Sequence, residues 1–171
     1  MNTIDKTLEA NTQYAARFDK GGLPMPPGRK LAIVVCMDAR IDPARALGLE
    51  EGDAHVIRNA GGRIADALRS LAVSQVLLGT EEVMIVHHTD CGMLTFTDES
   101  IRRLLKERGV DADDVAFQPF KDVEESVRAD LDAYDRSPLV RHDVPVRGFI
   151  FDVKTGRVNE VTRSAAAPRA T

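Results

Sequence analysis

Two short segments hold the side chains best suited to chemistry: Cys36-Met37-Asp38-Ala39-Arg40 and His88-Thr89-Asp90-Cys91-Gly92. Side chains alternate along an extended chain, so Cys36, Asp38 and Arg40 can project to one side. An arginine there can clamp the carboxylate with two parallel hydrogen bonds and keep it ionised and oriented. In the second segment a histidine and a cysteine three apart can reach one metal ion, with Gly92 relieving the backbone where the chain must bend. Taken singly, each segment has an ordinary explanation. The first also reads as a buried cysteine beside a surface ion pair, the second as a hydrogen-bonded histidine at a strand end. Taken together they say more, because both cysteines of the chain fall in them. Cys36, His88 and Cys91 form a Cys₂His set, a catalytic zinc ligation that leaves a fourth position open. Thiolates favour zinc over magnesium or calcium. His87 has the opposite strand parity and reads as a non-ligand, and His55 and His142 read as structural or surface histidines.

The elements must bring these segments together. Lys30 to Cys36 (KLAIVVC) is a β-branched apolar run suited to a strand buried on both faces. Ala54 to Arg58 is a shorter second strand, Glu82 to His88 a third, and Val146 to Val153 a fourth that starts after Pro145. Arg157 to Val161 is a short edge strand. Between them the pattern gives a short helix near Pro43, a tight turn at Asn59-Ala60-Gly61-Gly62 followed by a helix to about Leu78 with Gly79 as its C-cap, and helices over Ser100 to Arg108 and Val123 to Tyr134. The Asn59–Gly62 turn lacks the G-x-G-x-x-G pattern and a P-loop lysine, so it reads as a tight turn and not a phosphate loop. Thr3 to Phe18 has apolar residues at near-helical spacing, and Gly21, Gly22, Pro24, Pro26 and Pro27 tether it as an arm. Strands alternating with helices imply an α/β fold: a mostly parallel sheet of four strands plus a short edge strand, flanked by helices. Sites in such sheets form at the carboxyl ends of strands, where Cys36 and His88 fall.

The 171 residues fit a single domain over residues 1–171, with residues 1–29 as arm and linker and residues 164–171 as a disordered tail. A net charge of −4 argues against a nucleic-acid partner. No apolar run nears the roughly 20 residues of a membrane span, and the first residues are too polar for a secretory signal. The expected location is therefore cytoplasmic, where two cysteines serve as thiols or ligands and not as a disulfide framework.

The segments CMDAR, IRNAGG and HHTDCGM, with their spacing, resemble the β-carbonic anhydrase family, and most closely its short bacterial branch. The resemblance runs from about Met25 to Val161. It implies one Zn²⁺ per subunit held by Cys36, His88 and Cys91, with Asp38 and Arg40 as the catalytic dyad. The implied reaction is reversible hydration of CO₂ to bicarbonate by zinc-bound hydroxide. It also implies a homodimer or dimer-based oligomer in which the N-terminal helix wraps the partner. Some members sense bicarbonate through a tryptophan, which this chain lacks. Two thiolates offset the zinc charge, so activity is expected to rise toward alkaline pH. If Arg40 releases it, Asp38 can take the open zinc position and shut the site. Three alternatives stand beside this reading: hydrolysis of carbonyl sulfide or carbon disulfide on the same site, a non-catalytic zinc protein, and a thiol redox protein. The last is weakened by the lack of C-x-x-C.

Overall fold

The computed structural model describes residues 2–163, so the expected tail from Ser164 onward lies outside the described residues. The strands are β1 (Leu31–Cys36), β2 (Ala54–Asn59), β3 (Glu82–His88), β4 (Val146–Phe151) and β5 (Val158–Val161); the helices are α1 (Thr3–Ala15), α2 (Pro43–Leu47), α3 (Ile64–Val76), α4 (Asp98–Lys106) and α5 (Val123–Arg136). They form one sheet in the order β2-β1-β3-β4-β5. The first four strands are parallel, and β5 pairs antiparallel with β4 at the edge.

Strand β1 is buried at every position after Leu31. Ala32 and Val34 pack with Ile64, Ala67 and Leu71 of α3 and Val127, Leu131 and Tyr134 of α5. Ile33 and Val35 pack on the opposite face with Ile41, Val86, Met93 and Phe151. Each such aliphatic side chain removed from water contributes about 1.5–3 kcal/mol, which is why a continuous apolar run becomes a central strand. Helix α5 lies close against the sheet: a Cβ on Gly148 of β4 would sit 2.4 Å from a Val127 methyl.

Several boundaries differ from the sequence expectation, each for a local reason. Helix α1 ends at Ala15 and not Phe18, because the following amides of Arg17 and Phe18 turn to carbonyls three residues back. Helix α4 begins at Asp98, two residues early, because Thr97 and Ser100 exchange capping hydrogen bonds. Helix α3 ends at Val76, so Gly79 (φ 72°) lies beyond its cap residue Leu77. Strand β4 stops at Phe151, because the Asp152 carboxylate accepts the amides of Lys154 and Thr155 and turns the chain.

The turn after β2 bears directly on the site. Gly61 and Gly62 have φ of 79° and 70°. A Cβ on Gly62 would lie 2.9 Å from the Cys36 amide nitrogen and 3.0 Å from the Val86 carbonyl oxygen. The turn therefore nests against the ends of β1 and β3, and glycine supplies both the left-handed backbone and the missing bulk. The N-terminal arm contrasts with this packing: α1 has no buried residue, and Ile4 and Leu8 are 71% and 61% exposed. Among the described residues no helix is long and apolar enough to cross a membrane.

Candidate metal centre

Strands β1 and β3 are direct neighbours, with Val35 opposite Val86, so Cys36 and His88 emerge side by side at their carboxyl ends. Asp90 then takes a left-handed conformation (φ 55°), and the chain turns to bring Cys91 back beside them. The two sulfurs lie 4.0 Å apart. One donor atom from each of Cys36, His88 and Cys91 lies within 4.8 Å of the others, and all three residues are buried.

The hydrogen bonds of His88 define its chemistry. Its Nδ1 sits 2.9 Å from the Thr89 carbonyl oxygen, which can only accept, so Nδ1 carries the proton. That leaves a lone pair on Nε2, which is buried and has no hydrogen-bond partner. A buried unpaired nitrogen is costly, and this one faces two buried thiols. A hydrogen bond from the Cys91 thiol is the main cause that draws the Cys36 pKa down, and the same neighbour relation pushes that of Cys91 up. One proton satisfies only one of the two sulfurs. A divalent cation would satisfy both and the imidazole as well, so the donor set fits zinc.

Asp38 and Arg40 stand beside the cluster. Arg40 grips Asp38 with Nε to Oδ1 (3.0 Å) and Nη2 to Oδ2 (2.8 Å), and the Arg40 amide also donates to Oδ1 (2.8 Å). This grip holds the Asp38 carboxyl well below the usual carboxylate range. Asp38 Oδ2 lies 3.8 Å from His88 Nε2. The five residues singled out in the sequence are thus brought together. The two cysteines pack in one buried apolar cluster with Ile33, Val35, Ile41, Val86, Met93 and Phe151.

The structure adds residues that the sequence did not single out. Arg58, at the end of β2, donates from Nη2 to the carbonyls of Cys36 (2.9 Å) and Asp38 (2.7 Å), fixing the backbone that carries both. Its register opposite Val35 places it there. Asp90 accepts from Arg40 Nη1 (2.7 Å). His87 faces the other side of β3 from His88. Its Nδ1 lies 2.6 Å from Ser126 Oγ and its Nε2 3.1 Å from Asp130 Oδ2, and Asp130 is also paired with Arg63 at 2.9 Å. His55 lies 2.7 Å from Ser74 Oγ, and His142 is exposed.

Comparison with known proteins agrees with this geometry. The family model described as carbonic anhydrase matches residues 31–158. Beta-carbonic anhydrase 1 of Mycobacterium tuberculosis is 49% identical over 95% of this chain and 99% of its own length. The crystal structure of carbonic anhydrase from Streptococcus mutans superimposes with a TM-score of 0.90 at 48% identity, covering 95% of this chain and 99% of that one. A carbon disulfide hydrolase of Acidithiobacillus thiooxidans is more distant, 32% identical over 91% of this chain and 87% of its own. With three quarters of its length matched, a shared fold and a Cys-His-Cys cluster at the strand ends, the chain belongs to the β-carbonic anhydrase family, whose members are zinc enzymes.

Proposed function

We propose that this enzyme hydrates CO₂ reversibly to bicarbonate, with Cys36, His88 and Cys91 holding one zinc ion per subunit and Asp38 and Arg40 as the catalytic dyad. The observation that carries the reading is the buried, unpartnered His88 Nε2 beside two buried thiols. Zinc at such a site supplies Lewis acidity that makes water a nucleophile near neutral pH. The protein's part is to position and exclude. Held by these three residues, the ion would keep a position free for water or substrate. Asp38, kept ionised by Arg40, accepts a hydrogen bond from the attacking oxygen's O–H and aims its lone pair at the CO₂ carbon. The new C–O bond makes bicarbonate, and the proton released passes to buffer. Arg40 keeps Asp38 from swinging onto the metal. The apolar cluster behind the two cysteines keeps bulk water from that side of the site.

The same reading makes the chain part of a homodimer or a dimer-based oligomer. Helix α1 exposes Ile4 and Leu8 and buries nothing, as expected of an arm that packs on a partner subunit. It also places the enzyme in the cytoplasm, where the two thiols stay reduced.

The second reading is hydrolysis of carbonyl sulfide or carbon disulfide, favoured by the 32%-identical carbon disulfide hydrolase. The carbonic anhydrase reading is better supported, at 49% identity. Stopped-flow CO₂ hydration on zinc-quantified protein, beside H₂S release from both sulfur substrates, decides between them. We expect fast CO₂ hydration that rises toward alkaline pH, and a loss of about a hundred- to a thousandfold in Asp38→Ala. H₂S release without CO₂ hydration would reverse the assignment.

A further inference from the structure

The Asp38–Arg40 pair has a third member that the family resemblance does not assign. Arg40 carries five N–H donors, and four are committed. Two grip Asp38, as described. The other two go to Asp90: Nη1 donates to its Oδ2 (2.7 Å) and Nη2 to its backbone carbonyl (2.9 Å). The guanidinium is thus shared evenly between two acids that lie on different segments, Asp38 two residues after Cys36 and Asp90 one residue before Cys91.

Stability does not explain this arrangement. The side chains of Arg40 and Asp90 are 49% and 73% exposed, and exposed ion pairs contribute little to folding. The backbone at Asp90 is in the left-handed region (φ 55°), which glycine tolerates better than any residue with a side chain. A carboxylate stands there all the same, aimed at Arg40.

The position of Asp38 supplies a purpose. Its Oδ2 is 3.8 Å from His88 Nε2, so a modest rotation would carry it in among the metal ligands. Arg40 alone is a poor restraint, because a half-exposed arginine can exchange its grip for water. Held from the far side by Asp90, it cannot follow Asp38 inward without breaking two further hydrogen bonds. We infer that Asp90 is a positioning residue, a latch that anchors Arg40 and thereby keeps Asp38 off the metal and in its substrate-facing orientation. This inference rests on the proposed zinc site and dyad.

The test compares zinc-loaded wild type with Asp90→Asn and Asp90→Gly, both compatible with the left-handed backbone and both retaining the carbonyl contact. Two quantities are read: solvent exchange of the Arg40 Nε–Hε proton, by NMR on arginine-labelled protein, and CO₂ hydration, also in Asp38→Ala and the Asp38→Ala/Asp90→Asn double variant. In both Asp90 variants we expect exchange to rise on the order of tenfold and hydration to fall about ten- to a hundredfold, with zinc content unchanged. In the Asp38→Ala background the Asp90 change should cost nothing further. Asp90→Gly should be at least as heat-stable as wild type, which separates the lost latch from a damaged fold. Unchanged exchange, full activity in either variant, or a further loss on top of Asp38→Ala would each overturn the latch. If wild type binds zinc but does not hydrate CO₂, the proposed function fails, and the exchange measurement still decides whether Asp90 restrains Arg40.

Discussion

His87 and His88 are adjacent and both fully buried, yet they belong to two differently finished clusters on opposite faces of β3. On one face His87 has partners for both ring nitrogens, Ser126 and Asp130, and Phe120 stacks on its ring at 5.6 Å. Asp130 is in turn satisfied by Arg63 and by the Ile64 amide (3.0 Å). On the other face His88 has one nitrogen satisfied and one bare, beside two thiols. Both faces also contain an arginine–carboxylate pair. Arg63–Asp130 is sealed, with side chains 14% and 2% exposed, whereas Arg40–Asp38 is open to solvent at 49% and 17%. The same residue types thus serve architecture where both ring nitrogens of the histidine are paired and the ion pair is largely buried. They serve chemistry where one histidine nitrogen is left without a partner beside two thiols and the neighbouring ion pair is open to solvent.

Three substitutions probe that contrast. The largest effect is expected from His88→Ala, which removes the bare nitrogen: zinc content measured by metal analysis should fall from about one per chain to near zero, and activity with it. If zinc stays bound, the two faces are not distinguished as described. Asp130→Ala should strike the other face, lowering stability in chemical denaturation by about 3–5 kcal/mol because Arg63 loses its buried partner. Wherever the variant remains folded, it should still take up zinc. Ser126→Ala is the mildest, costing about 1 kcal/mol for one hydrogen bond to His87, with CO₂ hydration unchanged. A large activity loss in Ser126→Ala at full zinc content would show that the closed face takes part in the chemistry after all.

Much of the open face was legible in the sequence, and little of the closed one. Cys36, Asp38, Arg40, His88 and Cys91 fall in two short segments at strand ends, where residue type, alternation and the position of sites in parallel sheets all act locally. The α/β pattern allowed the first and third strands to lie side by side but left the order of the sheet open. The partnership of His87 with Ser126 and Asp130 was not legible, because it depends on how α5, about forty residues downstream, docks on the sheet. Periodicity says which side of α5 turns inward but not what it meets. Arg58 was missed for a similar reason: its contacts to the Cys36 and Asp38 carbonyls follow from the β1–β2 register, which no local pattern encodes. Asp90 lay in plain view within a motif already noted, yet its link to Arg40 needs the left-handed turn that only the folded chain displays.

The nesting of Gly62 against the Cys36 amide and the Val86 carbonyl gives the centre its calibre. Coordination bonds tolerate errors of about 0.2 Å, while a single added methyl at this glycine would wedge two neighbouring strand tips apart by more than that. The spacing of the strand ends that carry Cys36 and His88 therefore depends partly on a main-chain contact that supplies no ligand. A side chain at Gly62, strained in its left-handed backbone and pressed on the Cys36 amide, is expected to disturb the cluster although it would add no ligand.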